Sequence, residues 1–243
     1  STGSPLISIQ TGTIIAAIFI ILYTMLAGLV SVAYTDVANG IIILISFVIA
    51  IPIFLVKAGG FEGMAISFAE MGKNDHMSFW GVYSGMDIIN FCLPSFLLIM
   101  GDANMYQRFF ASKDAKGAKS ATKTLIVAVL IAELMIIVAA WIASSMIPDA
   151  EVGKYVLIYA SHEFLPPFIG AIMMTTIVGI IISTADSYLL VPTTTLMRDI
   201  YLNYFNKNAD QAKIVFLSRA LVIVLGIIAY AVSLGFAKSA GFF

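Results

Sequence analysis

The chain has 243 residues, 60% of them hydrophobic and only 11% charged, with a formal net charge of −1. A soluble domain carries roughly 25% charged residues. So few charges cannot dress a water-facing surface, and the long uninterrupted apolar runs make the bilayer the expected solvent. The near-neutral balance excludes a basic nucleic-acid surface. One cysteine, Cys92, and two scattered histidines, His76 and His162, exclude a disulfide framework and a His/Cys metal site.

The first residues, Ser1 to Gly12, are polar and uncharged, and they lack both a starting methionine and the basic n-region of a signal peptide. The chain stops at Phe243, just past an apolar run, so both ends read as cuts through a longer protein. Between them lie six apolar segments of about the 20-residue length a membrane helix needs. They fall near 13–34, 37–57, 86–107, 123–147, 167–191 and 216–237. Lipid cannot satisfy exposed backbone groups, and the segments are too long and non-alternating for barrel strands. The expected fold is therefore all-α, a polytopic membrane protein with six transmembrane helices.

A very short connection around Ala33 to Asp36 is expected between the first two spans. The loop from Lys57 to Asp87 is long and holds an amphipathic stretch, Phe61 to Met71, suited to lying along the interface. Within the third span, Pro94 is expected to break the helical hydrogen-bond ladder. The loop from Ile147 to Pro167 ends in Pro166-Pro167, a rigid stop before the fifth span. After that span, Leu196 to Phe205 mixes aromatic and charged residues and reads as a short helix on the cytoplasmic membrane surface.

Orientation follows from lysine and arginine. The third-to-fourth loop and its edges carry Arg108, Lys113, Lys116, Lys119 and Lys123; the fifth-to-sixth loop carries Arg198, Lys207, Lys213 and Arg219. The other side has Lys57, Lys73, Lys154 and Lys238 against Glu62, Glu70, Asp75, Asp149, Glu151 and Glu163. Loops 108–123 and 192–219 are therefore expected in the cytoplasm of a multi-pass cell-membrane protein.

Ionisable residues are costly inside a span and mark function when present. The spans hold few: Asp36, Asp102, Arg108, Glu133 and Asp186. Asp186 has the richest surroundings. Ser183, Asp186 and Ser187 stand at i, i+3 and i+4 and share one helix face, which Thr176 and Gly179 continue with small groups. Hydroxyls beside a carboxylate are hard oxygen ligands, fit for a small hard cation. The bland alternative is that the hydroxyls bond back to carbonyls one turn away, or let helices pack closely.

The segment Ile182-Ser183-Thr184-Ala185-Asp186-Ser187-Tyr188-Leu189-Leu190, followed by Arg198-Asp199-Ile200-Tyr201, resembles the eighth core helix of the sodium/solute symporter family and its continuation. Two further segments agree in order and separation. Tyr23-Thr24, Ala27-Gly28-Leu29 and Val32-Ala33-Tyr34-Thr35-Asp36 are similar to the family's fourth-to-fifth helix junction. Asn104 to Lys113 resembles the segment ending its sixth helix. Asn39 stands where glutamine is usual, and Ala27 replaces one glycine of a pair.

The resemblance implies a LeuT-type fold of two inverted five-helix repeats around a midplane site. The six spans would be core helices four to nine. Core helices one to three and ten would be the missing helices of the same polypeptide. It further implies sodium-coupled symport of a small organic solute, with sodium as the coupling ion and no organic cofactor. Ser183 and Thr184 match the hydroxyl ligands of the family's shared sodium site, and Ile180 a backbone-carbonyl ligand. Asp36, Asp186 and Ser187 match partners of a second cation site. There, two neighbouring carboxylates would favour a cation between them or one shared proton.

Ser95, Leu98 and Ile99, beside Pro94, are solute-contact candidates; Glu133 touches the solute or pairs with a group on a missing helix; Arg108 is an inner-gate residue or a positive-inside anchor. Two alternatives stay open: proton coupling through Asp36, Asp186 or Glu133, and a non-transporting membrane sensor or assembly subunit. With no nucleophile–base pair, an enzyme is not expected.

Overall fold

The computed structural model describes residues 8–148 and 152–239. The N-terminal residues 1–7, the acidic Asp149 and Glu151 and the last residues 240–243 lie outside the described residues. Those described fold into helices and no strand, as lipid requires when backbone groups must be satisfied within one segment. Five helices are long and apolar enough to cross a membrane, and a sixth crossing is counted if one bent pair forms a single span.

Ile9–Lys57 is helical throughout except at Gly28, whose φ of 67° and ψ of 173° divide it into α1 (Gln10–Gly28) and α2 (Ser31–Lys57). The break therefore falls at Gly28 and not at the expected Ala33–Asp36 connection. The polar residues that suggested a loop are satisfied inside the helix: Thr35 Oγ1 donates back to the Val32 carbonyl at 2.9 Å. Backbone with φ near +67° and ψ near 180° is essentially confined to glycine. Gly28→Ala will therefore destabilise the protein by about 1–3 kcal/mol. Thermal unfolding of the full-length protein in detergent will show it, although no neighbour would crowd the added methyl.

After Lys57 come α3 (Gly60–Glu70), α4 (Gly85–Met100) and α5 (Ala103–Phe110). Pro94 lies inside α4, which continues through it, and the chain bends by 40° between α4 and α5. A proline removes one donor from the ladder. At Gly101-Asp102 the helix itself ends, and the Asp102 side chain caps α5 by accepting from the Asn104 N–H at 2.9 Å. Then follow α6 (Ala115–Ser145), α7 (Val156–Glu163), α8 (Pro167–Thr195) and α9 (Gln211–Ser239). Helix α7 was not foreseen within the long loop. Leu196–Phe205 is π-helical and runs on from α8 without a break, so it is a continuation and not a separate helix.

The chain forms two compact units, and the division passes through α2 and α8. One unit, residues 38–180, has a closed apolar core. Phe47, Ala50 and Phe54 of α2 meet Met64 and Phe68 of α3, Ala139, Ile142 and Ala143 of α6, Ala160 of α7 and Met173 of α8. Met64 and Phe68 are four apart, so the amphipathic stretch spends its apolar face on this core. The other unit comprises residues up to 37 and from 181 onward. Here α9 comes so close to α1 that a Cβ on Gly226 would lie 2.5 Å from Ile21. Val32, Leu190, Met197 and Val222 are buried in this unit.

Candidate cation site

The polar face read from the α8 spacing exists as a continuous helix, because nothing between Pro167 and Thr195 breaks it. In the unit that holds residues 181 onward, Ser183 Oγ donates to Asp36 Oδ1 of α2 at 2.5 Å. Asp186 is 1% exposed and Thr24 of α1 is equally buried. Thr24 Oγ1 donates to Asp186 Oδ1 at 2.5 Å. Ser187 is buried beside them. Asp36 and Asp186 are thus each matched by a hydroxyl from another helix, which lowers the cost of placing them in a span. A third bond ties α1 to α2: Tyr23 Oη donates to Thr35 Oγ1 at 2.5 Å. Adjacent residues on α1 (Tyr23, Thr24) and on α2 (Thr35, Asp36) therefore share one polar junction with α8.

Thr184, in contrast, points to an open face of α8, and Ile180 is half-buried one turn before it. A helical carbonyl at i lies beside the side chains at i+3 and i+4. Ile180, Ser183 and Thr184 stand at i, i+3 and i+4 of α8 and carry one carbonyl and two hydroxyl oxygens, all hard donors. This donor type suits a monovalent hard cation completed by carbonyls from elsewhere.

In the other unit, Ser46 of α2 and Thr176 of α8 have hydroxyls 2.9 Å apart, and both residues are buried. The Asn39 side chain lies against Gly179, where an added Cβ would be 3.7 Å from it. This bears on the departure from glutamine, since a shorter carboxamide fits against the bare glycine. Interhelical hydrogen bonds in membranes contribute about 0.6–2 kcal/mol. Ser46→Ala will lower the unfolding free energy of the full-length protein by about that much, because the Thr176 hydroxyl keeps its bond to the Ile172 carbonyl.

Ser95, Leu98 and Ile99 are exposed on α4, with the Ser95 hydroxyl donating to the Phe91 carbonyl at 3.0 Å. Glu133 is exposed on α6 and Arg108 on α5. Tyr23, Thr24 and Thr35 of the junction, and Ser46 in the other unit, had no role assigned from sequence. Their signal was present, since a hydroxyl in an apolar run needs an acceptor, yet its partner lay far away in the chain.

Comparison with known proteins gives the same direction. A model of the sodium:solute symporter family matches residues 6–242. The osmoregulated proline transporter of Bacillus subtilis is 26% identical over 232 residues, which cover 93% of this chain and 46% of the relative. The high affinity choline transporter 1 of Homo sapiens is 26% identical over 243 residues, covering 94% and 41%. The sodium/proline symporter of Escherichia coli is 20% identical over 234 residues, covering 93% and 46%. The chain thus spans less than half the length of these curated relatives. With nearly all of its residues matched, from the α1–α2 junction through the hydroxyl face of α8 to α9, this multi-pass chain belongs to the sodium:solute symporter family.

Proposed function

We propose that the complete protein is a sodium-coupled symporter of a small organic solute and that this chain supplies core helices four to nine of a LeuT-type bundle. The observation that carries the reading is the polar junction on α8, where Ser183 bonds Asp36 and Thr24 bonds Asp186 within the spans. Sodium as cargo binds the Ser183 and Thr184 hydroxyls and the Ile180 carbonyl, together with carbonyls of the first core helix. Asp36, Asp186 and Ser187 offer a second cation position. Relatives named for proline and choline make a small zwitterion or quaternary ammonium the solute class to test first.

Coupling requires that sodium bind one conformation better than the other. Each charge moving inward down 100 mV gains about 2.3 kcal/mol, enough to drive solute uphill. Ser95, Leu98, Ile99 and Glu133 are candidates to face the solute. Arg108 stands at a cytoplasmic gate, with loops 108–123 and 192–219 inside the cell. The test is thermal stabilisation of the purified full-length protein by proline, choline and related solutes, with sodium or potassium present. Stabilisation by a solute only with sodium supports the reading. Equal stabilisation in potassium defeats it.

A further inference from the structure

Asp186 is the residue the proposed cation site leaves least explained. It is almost completely buried. A buried carboxylate needs donors aimed at it. Its hydrogen-bond donor among the described residues is Thr24, 162 positions away in sequence. The Thr24 hydroxyl has one proton and two acceptors in reach, the Ile20 carbonyl at 2.8 Å and Asp186 Oδ1 at 2.5 Å. The shorter contact is the one to the carboxylate. The other oxygen, Oδ2, accepts no hydrogen bond among the described residues, and it is not sealed from solvent.

The neighbours of Thr24 hold it in place. Tyr23, the preceding residue, is fastened to Thr35 across the Gly28 break. Thr35 in turn precedes Asp36, the carboxylate that takes the Ser183 hydroxyl. The break therefore folds α1 and α2 so that each presents a hydroxyl or an acid to the same stretch of α8.

From this arrangement we infer that Thr24 is a positioning residue of the cation site: it engages Oδ1 of Asp186 and so presents Oδ2 to the ion. The inference rests on the proposed sodium site and assigns it a third helix, α1. Thr24 acts through Asp186, so its effect on sodium must depend on the acid being there.

The experiment measures the sodium concentration giving half-maximal thermal stabilisation of the purified full-length protein, at fixed potassium-balanced ionic strength. Thr24→Val keeps the shape and removes the hydroxyl. It is expected to raise that midpoint by about tenfold, the loss of one hydrogen bond to a charged group. Thr24→Ser is expected to restore it to within about threefold of wild type. In an Asp186→Ser background, Thr24→Val is expected to add nothing, because the partner it positions is gone. Thr122→Val serves as a control, since the Thr122 hydroxyl bonds only back to the Ala118 carbonyl of its own helix.

Several outcomes overturn the inference. One is a Thr24→Val midpoint equal to wild type while Ser183→Ala shifts it; the sodium site then stands without Thr24. Another is an undiminished Thr24→Val effect in the Asp186→Ser background, which would mark a structural role. If Ser183→Ala and Thr24→Val both leave the midpoint unchanged, the underlying site reading fails with it. Should Thr24→Val not accumulate as folded protein, Thr24→Ala is read in its place with the same expectations.

Discussion

Alanine at both Ser183 and Thr184 in the full-length protein will raise the sodium concentration for half-maximal stabilisation by about 10- to 100-fold. A hydrogen bond or oxygen contact to a charged group contributes about 1.5–3 kcal/mol, and a tenfold change in affinity corresponds to about 1.4 kcal/mol. Two such contacts are removed, but Thr184 lies on an open face, so the full sum is not expected. The unfolding temperature without sodium should change little through Thr184. Ser183→Ala has a second consequence, because it also removes one donor that Asp36 accepts from, across α2 and α8. Losing one hydrogen bond to a half-buried group costs about 0.5–1.5 kcal/mol. The two single variants should therefore differ: Thr184→Ala weakens sodium binding alone, and Ser183→Ala weakens sodium binding and lowers the sodium-free melting temperature. Equal sodium midpoints in wild type and both variants would remove these hydroxyls from the site.

The largest effect on stability is expected from Gly63→Ala. Gly63 begins the second turn of α3, directly after a tight reversal in which Gly59 and Gly60 both have positive φ, 76° and 70°. The Gly63 N–H bonds the Gly59 carbonyl at 3.2 Å. A Cβ at Gly63 would collide with the backbone carbonyl oxygen of Ala58. Backbone cannot swing aside as a side chain can, so α3 would have to move. That movement would pull Met64 and Phe68 out of the core they share with Phe54 and Ile142. Overpacking costs about 1–3 kcal/mol where neighbours can adjust, and more where they cannot. A loss of about 3 kcal/mol or more is expected, read as a fall in melting temperature or in folded yield. Gly40→Ala is the contrasting case. Gly40 lies inside α2 with no atom within 4 Å of its added methyl, so the change should be neutral or stabilising.

The helical, membrane-spanning character was legible because it depends on the length and continuity of apolar runs, which are local properties. Breaks were less legible. Thr35-Asp36 looked like a connection because both are polar, yet a threonine in a helix can bond its own backbone one turn back. The actual break, at Gly28, was marked in the sequence by a single glycine inside an apolar run. Pro94 marked a lost ladder donor but not the bend, which falls at Gly101-Asp102. The face of Ser183, Asp186 and Ser187 was readable from a 3.6-residue period. Its partners were not, because nothing in the spacing of α8 says that Thr24 or Asp36 will lie against it. Those pairings belong to tertiary packing, and the family resemblance supplied Asp36 but not Thr24.

The most direct test of sodium coupling is uptake into proteoliposomes containing the full-length protein, with proline or choline as radiolabelled solute and pH clamped equal on both sides. An inward sodium gradient should drive accumulation above equilibrium, and replacing sodium by potassium should abolish it. Accumulation that persists without sodium and follows an imposed proton gradient would contradict sodium coupling and transfer the role of the acidic pairs on α8 to protons.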